Sequence, residues 1–240
     1  MVNNLQYNKA DMVTPKEKIA SLSNIVVASS TRGESLNQLL NALEISDKKI
    51  VHIHLRLPGR TIKFIKQFIP ACRADGAIIS DSKFFLKMTT ADCIPLILVE
   101  PDKKIGALIH VGWRNVVFRL PRRAALLMKK KFNIDPANLL AYCGPSIQAA
   151  QYRHQPSRAL KKKILFFVSG NRQAVIANRD GTVSFDLPAA TTRQLLAAGL
   201  QSENIERSAY CTARDRDLFP SHFRQGAERT ESVITVFGFR

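Results

Sequence analysis

Thr90-Ala91-Asp92-Cys93-Ile94-Pro95-Leu96-Ile97-Leu98-Val99, then Pro101-Asp102, then Ile105-Gly106-Ala107-Leu108-Ile109-His110-Val111-Gly112-Trp113-Arg114 is the stretch that decides the fold. Ile94–Val99 and Ile105–Val111 are unbroken apolar runs, without the alternation of a half-exposed strand, so they read as strands buried on both faces inside a layered sheet structure. Pro101-Asp102 is a turn signal. A short turn makes the two strands antiparallel neighbours. With the turn centred on Pro101 to Lys104, Cys93 and His110 lie at similar distances from it and fall opposite one another at one sheet end.

Working outward, Ile25–Ala28 reads as a strand ending in the turn Ser29–Gly33, and Ser35–Leu43 has the helical spacing of Leu36, Leu39, Leu40 and Leu43. Ile50–Leu57 reads as a strand stopped by Pro58-Gly59, while Thr61–Phe68 fits either a strand or a short helix. Gly76–Ile79 and Phe84–Met88 are strand-like. Arg114–Phe132 is helical, with a basic last turn that suits the negative end of a helix dipole. Pro156–Val168 and Ala189–Ala198 are further helices, Val183–Leu187 a strand, and Ser232–Phe237 the closing strand. Strands and helices mix without strict βαβ alternation, which predicts one layered α/β (α+β) domain over residues 21–240, preceded by a polar extension over residues 1–20.

The composition, 45% hydrophobic and 23% charged over 240 residues, excludes wholesale disorder, collagen and coiled coil. The longest apolar run is far short of the ~20 residues a spanning helix needs. The amino-terminal segment is polar where a secretory signal carries its apolar stretch. The expectation is a soluble, cytoplasmic protein with no membrane partner; nothing in the sequence sets an oligomeric state.

Lys and Arg number 36 against 19 Asp and Glu, a formal net charge of +17. Much of the excess lies in Arg122-Arg123, Lys129-Lys130-Lys131 and Lys161-Lys162-Lys163. These runs read either as solvated helix faces or as a surface for nonspecific polyanion binding. They lack the interleaved aromatics of a base-stacking platform. The four cysteines, Cys72, Cys93, Cys143 and Cys211, form no CxxC pair and suit neither a disulfide framework nor a zinc ribbon.

A thiol and an imidazole at one sheet end admit three readings. Cys93 and His110 are two ligands of a soft metal, or a nucleophile and its base with Asp92 orienting the imidazole, or a buried cysteine and a locally satisfied histidine.

Thr90-Ala91-Asp92-Cys93-Ile94-Pro95 and His110-Val111-Gly112-Trp113-Arg114 resemble the paired TADC-x-P and HAGWRG signatures of the multicopper polyphenol oxidase (laccase-domain) family, now regarded as purine nucleoside phosphorylases. Ser30-Thr31-Arg32, Arg73-Ala74-Asp75-Gly76, Gly144-Pro145-Ser146-Ile147, Asp186-Leu187 and Cys211-Thr212 agree in order. The resemblance implies a single-domain α/β/β/α sandwich related in its core to toxin-type cysteine hydrolases. It also implies a zinc site of two histidines and one cysteine, zinc being preferred to the copper of the older label. The activity it implies is phosphorolysis of adenosine, inosine or methylthioadenosine, with adenosine deamination in some members. Cys93 and His110 match two of the three metal ligands.

Several positions depart from the family pattern. Pro58, which has no donor atom, stands where the third ligand is expected. His52 and His54, candidate substitutes, lie roughly 13 to 20 Å upstream along an extended chain. Asn115 replaces the last glycine of GWRG, Arg153 replaces a glutamate, and Pro220-Ser221-His222-Phe223-Arg224 retains one arginine of an FSYRR run. These changes leave open a catalytically impaired paralogue or a metal-free cysteine hydrolase.

Phosphorolysis requires a phosphate site, for which the guanidinium fork is suited. Arg32, Arg114 and Arg224 are the candidates, with structural salt bridges as their other reading. Trp113 is placed either in core packing or in stacking on the purine. Cys143 and Cys211 read as structural.

Overall fold

The computed structural model describes residues 12–45, 49–55, 61–80 and 83–240. Its centre is the antiparallel pair Ile94–Glu100 and Ile105–Val111, every residue of which is buried. Ile94 lies opposite Val111 and Pro95 opposite His110. The ladder is therefore offset from the expected pairing: His110 faces Pro95, and Cys93 sits just beyond the ladder, level with Gly112.

These strands form the middle of a six-stranded sheet, in the order Ile205–Arg207, Leu140–Cys143, Ile94–Glu100, Ile105–Val111, Gly76–Ile79, Ile62–Ile65. A five-stranded sheet, Ile25–Ser29, Val233–Phe239, Phe84–Thr90, Lys49–His54, Ala71–Arg73, packs on one face. Alternation along each strand explains why both faces are apolar. Ile97, Val99 and Leu108 point between the sheets against Val51, Ile53, Leu86, Met88 and Phe237. Leu96, Leu98, Ala107 and Ile109 point the other way, into the core shared with the helices. Each such fully buried aliphatic side chain contributes about 1.5–3 kcal/mol of transfer free energy.

The outer layer on that side holds the helices Trp113–Val117, Leu120–Phe132, Pro156–Val168 and Leu187–Leu196, with a small sheet of Arg153–His154, Val183–Phe185 and Val175–Ala177. The helix Leu36–Ala42 covers the opposite face, packing Leu39 and Leu40 against Val26, Ala28, Phe85 and Val236. Its first turn is closed by a capping box between Ser35 and Gln38. The result is a mixed α/β domain with helix, sheet, sheet and helix in layers. No helix among the described residues is long and apolar enough to cross a membrane.

Three local expectations change. The segment Arg114–Phe132 is two helices, because Arg119 adopts a left-handed conformation (φ 54°) and Pro121 starts a new helix in the first turn, where its missing N–H costs nothing. Thr61–Phe68 resolves as the strand Ile62–Ile65. Residues 12–20 are not a loose extension: Val13 exchanges backbone hydrogen bonds of 2.9 and 2.8 Å with Ser29, Ile19 is buried, and the N–H groups of Lys16 and Glu17 donate to the Glu206 carboxylate. Residues 1–11 lie outside the described residues.

Gly106 marks the tightest approach between the sheets: a Cβ there would lie 2.7 Å from Cε1 of Phe237 and overlap the rest of that ring. Gly106→Ala should lower the unfolding free energy by about 1–3 kcal/mol in urea denaturation. Part of the loss should be recovered in the Gly106→Ala/Phe237→Leu double variant relative to Phe237→Leu alone.

Candidate active site

At the outer ends of the central strands the chain makes a tight knot. Asp92 has φ 81°, a left-handed conformation that Asp tolerates better than most residues. Its buried carboxylate accepts 2.7 Å from the Thr212 hydroxyl and 2.6 Å from the Phe223 N–H, and its carbonyl accepts from the Ile147 N–H. Asp92 was expected to orient His110; its carboxylate accepts from Thr212 and Phe223, and His110 Nδ1 has no hydrogen-bond partner. Asp92 fixes the walls of the site instead.

Gly112 brings Cys93 and His110 to one place. A Cβ at Gly112 would lie 2.9 Å from Cys93 Sγ and 3.5 Å from His110 Cε1, so the thiol and the imidazole border the same small space, which any larger residue would fill. Asn115 accepts the Gly112 N–H at 3.0 Å and donates to buried Asp75 at 3.3 Å. The departure from GWRG is thus a helix cap that holds Gly112 in position. Burial drives the His110 imidazole down to about 4, so it is neutral at physiological pH, and its Nδ1 is buried without a hydrogen-bond partner. Burial first, and then Asp92, push the Cys93 thiol up to about 12 against the pull of Lys162.

These residues open onto a cavity of about 720 Å³. Trp113, Arg114, Tyr152, His154, Phe223 and Arg229 line it, as do His52 and His54. The His52 and His54 rings stack with centroids 4.0 Å apart, and burial, Lys87 and His54 hold His52 down to about 4. The Arg114 guanidinium lies 4.5 Å from the centroid of the Trp113 ring.

Of the three arginines expected at phosphate, only Arg114 reaches this cavity. Arg32 pairs with Glu231 at 2.9 Å and donates to the Phe219 carbonyl. Arg224 donates to the carbonyls of Thr212, Ala213 and Phe219. Neither lines the cavity, and their bonds to protein oxygens brace the 211–219 loop. Trp113 is partly buried against the helical core and also faces the cavity, so it serves both readings.

Sequence reasoning missed Tyr152, His154, Phe223, Arg229 and Lys162. Lys162 Nζ donates 2.6 Å to the Tyr152 hydroxyl and sits 3.0 Å from His154 Nε2, above the Tyr152 ring. Burial, followed by repulsion from Arg114, lowers it to about 8. The signal was its helical position: Ala159 and Phe166 are the buried residues of its helix, three before it and four after it.

The family described as multi-copper polyphenol oxidoreductase laccase matches residues 30–237. The chain belongs to that family. A Bacillus subtilis relative named purine nucleoside phosphorylase YlmD is 26% identical over 234 residues, covering 96% of this chain and 78% of its own. A Bacteroides thetaiotaomicron relative named purine nucleoside phosphorylase is 32% identical over 156 residues, covering 63% of this chain and 56% of its own. The crystal structure of YlmD from Geobacillus stearothermophilus superposes with a TM-score of 0.77 at 21% identity, covering 91% of this chain and 93% of that one.

A zinc site of the kind the family resemblance implies requires three protein ligands. Cys93 and His110 have suitable donor chemistry, but among the described residues no group of three His, Cys, Asp or Glu side chains is placed to hold an ion. Pro58, at the position of the third ligand, lies outside the described residues. Among the described residues the donor set does not complete a zinc site.

Burial, with repulsion from Lys162, lowers His154 to about 4 from an ordinary 6.5. The unfolded chain therefore binds more protons at this residue below pH 6.5, so its contribution to stability is lost as pH falls from 6.5 to 4. Urea midpoints measured across that window should fall less steeply in His154→Gln than in the parent protein.

Proposed function

We propose that the protein is a phosphorylase acting on purine nucleosides. The observation that carries this reading is the cavity itself, where aromatic rings and a free guanidinium meet at the paired Asp-Cys and His-x-Gly-Trp-Arg strand ends, in a family whose relatives bear the phosphorylase name. Phosphorolysis forms a bond from a phosphate oxygen to C1′ of the pentose, breaks the C1′–N bond, and leaves a purine nitrogen that takes up a proton.

The residues divide these tasks. Arg114, an exposed residue of the cavity lining, binds phosphate as a bidentate fork, and Arg229 adds positive charge to the same lining. Trp113 and Phe223 offer flat faces for the base. Lys162, charged below about pH 8 and bonded to Tyr152 and His154 on the cavity wall, is the reservoir for the proton delivered to the leaving purine. Neutral His110 lies in the cavity lining beside the Cys93 thiol.

A cysteine hydrolase fits the geometry less well. The Cys93 thiol is held protonated, and the Asp92 carboxylate accepts from Thr212 and Phe223 while His110 Nδ1 has no partner.

Purified protein incubated with adenosine, inosine or methylthioadenosine should release free base only when phosphate is present. Arg114→Ala should raise the KM for phosphate by about tenfold or more, the loss expected for one charge-assisted hydrogen-bonded contact. Failure to release base from any of the three nucleosides, with or without added zinc, or release that does not depend on phosphate, overturns the assignment.

A further inference from the structure

On the outer face of the helical layer lies a second cavity, of about 440 Å³, that shares no lining residue with the first. Arg119, Arg122, Arg193, Ser169, Asn171 and Gln194 contribute to it. Three guanidinium groups border it, no carboxylate lines it, and the four helices of this layer contain no Asp or Glu. Like charges gathered around a cavity raise its potential unless an anion enters.

The hydrogen bonds show which donors remain. Arg119 uses Nε on the Ser169 carbonyl at 3.1 Å, and Arg122 uses Nε on the Ala197 carbonyl at 3.3 Å. Each thus braces the end of a helix with one nitrogen and keeps its terminal fork uncommitted. Arg193 Nη2 is buried without a partner, an expensive condition for a charged donor.

The floor is rigid and polar. Gln194, 6% exposed, donates to the Val116 carbonyl at 2.8 Å and to Asn171 Oδ1 at 2.9 Å, leaving its own Oε1 buried without a donor. Asn171 Nδ2 in turn bonds Ser169 Oγ at 2.9 Å.

We propose that this cavity is a binding site for a doubly charged phosphate group, separate from the proposed catalytic cavity. The Arg119 and Arg122 forks and Arg193 Nη2 supply donors in the planar geometry that phosphate oxygens accept. Gln194 Oε1 accepts from the hydroxyl of a monoprotonated phosphate or of an attached sugar. Inorganic phosphate and a sugar phosphomonoester share this chemistry, and the volume admits either.

Calorimetric titration at low ionic strength tests the assignment, with inorganic phosphate and ribose 5-phosphate as separate probes. The Arg114→Ala protein serves as background, so that binding at the other cavity does not intrude. One anion should bind, and the probe that binds more tightly identifies the source. Arg119→Ala/Arg122→Ala should weaken binding by about tenfold per guanidinium removed. Arg122→Glu, a single change at a partly exposed position, should abolish it even where the double variant folds poorly. Lys129→Ala/Lys130→Ala, which removes equal charge elsewhere on the layer, should leave affinity within about twofold, the effect of diffuse surface charge. Absence of binding by either probe, or an equal loss in the Lys129/Lys130 variant, overturns the proposal.

Discussion

The two hydrogen bonds to the Asp92 carboxylate are the constraint on which the site depends. They tie the segment before the first central strand to Thr212 and Phe223, far along the chain, while the Asp92 carbonyl holds Ile147. Charge-assisted hydrogen bonds of this kind contribute about 1.5–3 kcal/mol each, more than the roughly 1–2 kcal/mol cost of a left-handed residue. The strained turn is stable because its side chain closes the pocket wall. Without that closure Phe223 and His222 would have no fixed relation to Cys93, and the cavity would lose one side.

The same logic sorts the arginines. A guanidinium can brace protein or bind ligand, and its chemistry is identical in both uses; only the supply of protein oxygens around it decides. Phe219 illustrates this, for its carbonyl accepts from both Arg32 and Arg224. Arg114 escapes because its neighbour is the Trp113 ring, which attracts the cation without consuming its donors. Sequence motifs therefore marked three arginines near the site, but which one faces the cavity was settled by loop contacts made over long sequence separations.

Much of the architecture was legible because period and burial agree. Ile94–Val99 and Ile105–Val111 are apolar at every position, and alternate residues do serve two different cores. The turn signal at Pro101-Asp102 gave the pairing partner, and a turn centred on Pro101 to Lys104 gives the observed register, which sets Cys93 level with Gly112 rather than with His110. The break at Arg119 escaped: the apolar spacing continues through it, and only the backbone dihedral reveals it. At the site, Cys93 and His110 were readable from motif and topology together. Tyr152, His154 and Lys162 were not, because they converge from a short strand and a helix whose packing on the Trp113 helix has no local signature. Lys162 was concealed further by two exposed lysines beside it.

The distribution of charge links the two cavities. The net charge of +17 is not spread evenly: the helices outside the six-stranded sheet carry arginine and lysine without a single acidic residue. A helical layer of one sign is costly for a domain unless anions are regularly at hand, because repulsion among its members is relieved only by counterions or ligands. The layer lines the first cavity with Arg114, sets Lys162 behind Tyr152 and His154, and surrounds the second with Arg119, Arg122 and Arg193. Val116 lies between them: its carbonyl receives Gln194 from the floor of the second cavity, and its helix begins at Trp113 on the wall of the first. An anion in either place thus offsets charge borne by neighbouring helices of one layer.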